Sequence, residues 1–144
     1  MKVEGRPPVA ARLSAFSLLL LTFTYRKGGK TLESRDKALE AAGAAVDKKA
    51  KDVLVLDLHG LTTITDYFVI CSGVSTTQVK AITEEIEGRF RAEGVKPLGI
   101  EGVSHGHWVL MDYSDVIVHI FEEETRKFYE LEKLWIDAER IRLE

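Results

Sequence analysis

Residues 106–121 read GHWVLMDYSDVIVHIF, placing two histidines, two aspartates, a tryptophan and a tyrosine within one short stretch. Such side chains can ligate a metal, move protons in catalysis, or anchor a partner protein. A metal centre would require His105, His107 and His119 to converge. Ser114 and Asp115 read as a two-residue hairpin loop, which pairs Tyr113 with Val116, Asp112 with Ile117, Met111 with Val118, Leu110 with His119, and Trp108 with Phe121. Side chains alternate across a strand, so each pair lies on one face. His107 and His119 then fall on opposite faces, and no metal site is expected.

Catalysis fares no better. The segment SGVSTTQ, residues 72–78, leads from an apolar run into a helical pattern, where backbone N–H groups can face a phosphate. Nucleotidyl transfer would also need paired acids holding Mg²⁺ beside that turn. The next acids after Gly73 are Glu84 and Glu85, on the body of the helix, and Asp112 and Asp115 are split by the hairpin turn. A Ser/His/Asp mechanism lacks its nucleophile elbow. The expectation is a protein without enzymatic activity, cofactor or metal.

What remains is a surface. One hairpin face, Val109, Met111, Tyr113, Val116, Val118 and Ile120, is almost purely apolar and must be core. The other carries Trp108, Leu110, Asp112, Ile117, His119 and Phe121. Two arrangements are open for it. A final helix can cover it, with Asp112 and His119 hydrogen-bonded inside. Alternatively Trp108 and Asp112 reach solvent, an aromatic anchor beside a carboxylate as at a protein-docking hot spot.

The elements that must position this hairpin follow from periodicity. Leu32 to Lys51, rich in Ala and Leu, predicts a helix with Ser34 as N-cap. Asp52 to Leu58 and Tyr67 to Gly73 are short apolar runs expected as core strands. Val79, Ile82, Ile86 and Phe90 recur at helical spacing after Ser75, and Gly94 is placed to end that helix. PLGIEG suggests a short strand before the hairpin. Phe128, Leu131, Leu134, Trp135, Ala138 and Ile141 suggest a closing helix from Glu122 to Leu143. The order α-β-β-α-β-β-β-α predicts a single α/β domain, a mixed β-sheet with flanking helices.

Composition sets further bounds. The chain has 144 residues, 45% hydrophobic and 30% charged, which suits one globular domain. Its one cysteine, Cys71, lies in an apolar run and reads as a buried thiol, with no disulfide framework. Net charge is −3, but residues 1–30 hold six Lys/Arg and one Glu, about +5, leaving about −8 for the rest. An acidic body argues against broad nucleic-acid binding. Residues 1–33 form a basic, partly apolar extension. Its apolar centre, Leu13 to Phe23, is too short for a membrane span, which needs roughly 20 apolar residues. A weakly ordered extension, an organelle transit peptide and a secretory or anchoring segment all stay open. The folded domain is expected over residues 34–144.

Three segments, DLHGLTTITDYFVICSGVSTTQV, PLGIEGVSHGHWVLMDYSDVIVHIF and RKFYELEKLWIDA, together resemble the ribosomal silencing factor family, also called Iojap-like. The resemblance runs from about residue 34 to the end. It implies a nucleotidyltransferase-like fold without catalytic carboxylates. It also implies binding to the large ribosomal subunit through a ribosomal protein of the L-fourteen type, blocking subunit joining when nutrients are short. Large-subunit assembly is the alternative role, since organelle relatives are linked to it; residual nucleotide binding is a further one. The family's docking element falls on Trp108, Leu110, Met111, Asp112 and Tyr113, with Trp108 as hydrophobic anchor and Asp112 bonding a basic group of the partner. Ser114 stands where the family often has Gly, and Glu123 where Pro is common. A cytoplasmic location is expected, or an organelle if the extension is a transit peptide. Exposed sheet surface also makes a homodimer an expectation.

Overall fold

Ala-rich turns and apolar strands condense here around one twisted sheet. The computed structural model describes residues 33–143; the basic segment before them lies outside the described residues. Helix α1 spans Ser34–Asp47, strand β1 Lys51–Asp57 and strand β2 Tyr67–Gly73. Helix α2 covers Thr76–Ala92 and is followed by β3 (Gly99–Glu101), β4 (Trp108–Asp112) and β5 (Val116–Glu122). Helix α3 (Glu123–Tyr129), a 3₁₀ turn (Leu131–Trp135) and β6 (Glu139–Leu143) complete the described chain. The strands form one sheet in the order β3-β4-β5-β2-β1-β6, in which only the β2–β5 pair is parallel. The expected class, a single α/β domain with a mixed sheet and flanking helices, is the one observed.

Local chemistry explains the helix limits. Ser75 caps α2, its Oγ accepting the Gln78 N–H at 3.1 Å. At the other end Gly94, with φ at +78°, turns the chain away as expected. Helix α1 begins one residue earlier than predicted: Glu33 occupies the cap position without a side-chain bond, and Ser34 is already helical.

The two sheet faces bury different things. On one, α1 and α2 lay their Ala, Val, Ile and Phe side chains over Val53, Val55, Val69, Cys71, Val109, Met111, Val118 and Ile120. On the other, Leu54, Leu56, Ile70 and Phe121 are covered by Leu131, Trp135 and Ala138 of the C-terminal segment. That segment corrects the predicted closing helix. Glu130 adopts a left-handed conformation with φ at 48°, ending α3 after seven residues. Beyond the 3₁₀ turn, Glu139–Leu143 instead pairs antiparallel with β1. There Ile141 and Leu143 pack against the core, while the strand gives the β1 edge its hydrogen-bond partners.

Candidate functional site

The hairpin has the predicted register, with Trp108 opposite Phe121, Leu110 opposite His119 and Asp112 opposite Ile117. Its first face is core, as read from the alternation. On the second face, Ile117, His119 and Phe121 are buried, Phe121 in the cluster that the C-terminal segment covers. The structure corrects the expected exposure of Asp112, which is fully buried and accepts the Ser114 N–H at 2.9 Å through Oδ1.

The other expected docking residues are also withdrawn from the surface. Leu110, Met111 and Tyr113 are all buried. Met111 and Tyr113 face the helices, Tyr113 meeting Phe90 edge-on at 4.6 Å. Burial raises the Tyr113 hydroxyl well above the usual phenol range, and the nearby Glu87 adds to this. Of the five residues, Trp108 alone stays half-exposed.

Around Trp108 the structure assembles a groove of about 640 Å³, lined by Gly102, His105, His107, Trp108, Glu124, Thr125, Phe128 and Tyr129. The Trp108 ring lies 4.7 Å from Phe121 beneath it and 4.9 Å from Tyr129 beside it. Phe128 meets Tyr129 edge-on at 4.9 Å and is 79% exposed. Aromatic surface this open, beside polar groups at the rim, is the kind that marks interaction sites. Two devices hold the walls. Gly102, with φ at +90°, brings the β3–β4 loop so close that a Cβ would lie 2.1 Å from the Trp108 carbonyl oxygen. His107 pairs through Nδ1 with Glu122 Oε1 at 2.7 Å, tying the loop to the end of β5.

Sequence reasoning missed Glu124, Thr125, Phe128 and Tyr129. Phe128 carried a signal, being apolar at helical spacing, but it was assigned to the buried face of a long helix. It lies inside the short α3, on the side that no other element among the described residues covers.

His105 and His107 line the groove while His119 is buried, and no group of three His, Cys, Asp or Glu able to hold a metal exists among the described residues. At the Gly73–Ser75 turn, Val74 N–H donates to Gln78 Oε1 at 2.7 Å, and Gln78 Nε2 donates to the Lys48 and Lys49 carbonyls. The turn therefore spends one of its N–H donors, that of Val74, on a side chain of its own helix. No helix among the described residues is long and apolar enough to cross a membrane.

Comparison with known families now decides the lineage. Residues 31–144 match the family model described as "Ribosomal silencing factor during starvation". The chain belongs to this family. It is a family of ribosomal silencing factors and not of enzymes. Among its relatives, the chain is 46% identical over 98 residues to ribosomal silencing factor RsfS of Bacillus subtilis, covering 68% of this chain and 83% of that one. It is 33% identical over 91 residues to the mouse protein named "Mitochondrial assembly of ribosomal large subunit protein 1", covering 61% and 40% respectively. A crystal structure of a Chromobacterium violaceum protein is similar at a TM-score of 0.70 and 35% identity, over 72% of this chain and 87% of that one.

Proposed function

We propose that this silencing factor binds the large ribosomal subunit through a ribosomal protein of the L-fourteen type and sterically blocks joining with the small subunit during nutrient limitation. The observation that carries the reading is the open aromatic groove at Trp108 in a member of the ribosomal silencing factor family. Nothing covalent is needed: occupancy of an intersubunit contact is the mechanism. Trp108 is the anchor, with Tyr129 and Phe128 beside it, and the buried Leu110 and Asp112 support the strand from within. Met111 and Tyr113 face the helices and act only through the fold. The binding domain is residues 34–144, a division the family match over residues 31–144 supports. Location follows the role, cytoplasmic in a bacterium.

The direct test is capture of the isolated L-fourteen-type protein by the native chain and by Trp108→Ala. Loss of a central aromatic anchor weakens binding by at least ~2 kcal/mol, some thirtyfold. A folded Trp108→Ala variant that binds equally well overturns the assignment. A second reading, large-subunit assembly, draws on the name of the mouse relative. Sucrose-gradient profiles of depleted cells separate the two: loss of an anti-association factor raises joined ribosomes under starvation, whereas loss of an assembly factor accumulates incomplete large subunits. An organelle location goes with that second reading.

A further inference from the structure

His119 sits on β5 as a buried polar side chain among rings, 4.5 Å from Phe68, 5.9 Å from Trp108 and 6.2 Å from Phe121. A phenyl ring would suit such surroundings better, because His119 Nε2 is buried with no hydrogen-bond partner. The other ring nitrogen is an acceptor: Trp108 Nε1–H donates to His119 Nδ1 at 3.1 Å. Indole N–H only donates, so Nδ1 is unprotonated and the imidazole proton lies on the partnerless Nε2. The fold thus tolerates an unsatisfied buried donor in return for one bond to the half-buried aromatic anchor. Unsatisfied polar groups in well-packed cores call for a reason of this sort.

We propose that His119 is a positioning residue for the groove: its Nδ1 holds the Trp108 indole N–H so that the ring stands as a preset wall for an incoming partner side chain. A ring already fixed loses little rotamer freedom on binding, which lowers the entropic cost of association. Phe121 and Tyr129 meet the indole only as tilted rings, at 34° and 50°, whereas His119 holds its N–H by a directional bond. The inference rests on the docking reading of Trp108 and names the residue that prepares it.

The test compares the full chain with Trp108→Ala, His119→Phe and His119→Asn, using purified large ribosomal subunits as the probe. Each variant also gives a thermal melting curve and an indole ¹H–¹⁵N spectrum, with the Trp108 signal assigned by its loss in Trp108→Phe. In His119→Phe, binding weakens roughly fivefold, the worth of one net hydrogen bond, while Tm stays level or rises and the indole proton moves upfield. In His119→Asn the amide oxygen replaces Nδ1, so binding stays within about twofold of native although the smaller side chain lowers Tm. A purely structural role would move affinity and Tm together. If His119→Phe does not fold, His119→Leu carries the same expectation. Native affinity in a folded His119→Phe, with binding lost in Trp108→Ala, overturns the positioning role alone. Native affinity in Trp108→Ala overturns the docking reading and this inference with it.

Discussion

His119 makes the site sensitive to acid. Burial pushes its pKa down to about 3, far below the ordinary value of 6.5. Between those values the unfolded chain binds a proton that the native imidazole refuses, so this residue's contribution to stability is present above pH 6.5 and lost as pH falls towards 3. His59 behaves oppositely. Its hydrogen bond to Asp57 raises its pKa, giving stability that is present below its unfolded value and lost as pH rises through the folded one. Both the native chain and His119→Phe keep His59, so it cancels between them. The Tm advantage of His119→Phe is therefore expected to widen between pH 7.5 and pH 4.5 in paired melting curves. An unchanged gap would mean that His119 is not held neutral by burial. Sequence patterning located Trp108 and His119 on one face, and it could do so because strand alternation is strict. It could not say that one caps the other, since rotamers depend on what packs above them.

Among the elements, the C-terminal segment covers the second face of the sheet and leaves the groove at Trp108 open. Arg126 of α3 ties it down: Nη1 donates to the Asp52 carbonyl at 2.8 Å and to Ser72 Oγ at 2.9 Å, while Nε meets Glu132 Oε2 at 3.1 Å. The guanidinium is buried and links α3 to β1, β2 and the 3₁₀ turn in one step. Arg126→Ala strands these partners and should cost about 3 kcal/mol, as breaking a buried pair does. Hydrogen exchange should show faster loss of protection in residues 123–143 than in α1 or α2. Uniform loss across the sheet would instead mean that the segment does not open separately. This is also the region where sequence reading failed. Apolar residues at three- and four-residue spacing from Phe128 to Ile141 imitate a helix, whereas the alternation of Ile141 and Leu143 with Arg140 and Arg142 is too brief to compete. The strand forms because β1, distant in sequence, presents an edge needing partners.

At the scale of the whole molecule, a sheet covered on both faces isolates its centre. Cys71 lies on β2 with no exposure, and burial pushes its thiol up to about 12, against a weaker opposing pull from Arg126. The thiol should react only through opening of the whole domain. Labelling by a thiol reagent at neutral pH is expected to run at least ~1000-fold slower in the native chain than in denaturant, tracking global stability. Fast labelling under native conditions would reveal a local opening at β2. Arg126→Ala provides a useful contrast, because its loosened segment lies over the face opposite the one where Cys71 packs.

The class of the domain, five of its six strands, the hairpin register, the core face of the hairpin and the family resemblance were all legible in the residues themselves. Each rests on local order: a period of two or 3.6, a turn, or a motif of adjacent residues. The fate of Asp112, the end of α3 at Glu130, the sixth strand and the exposure of Phe128 were decided by tertiary structure. Those outcomes depend on which distant surfaces meet, and burial against a partner far along the chain outweighs the small differences in local preference that a sequence displays.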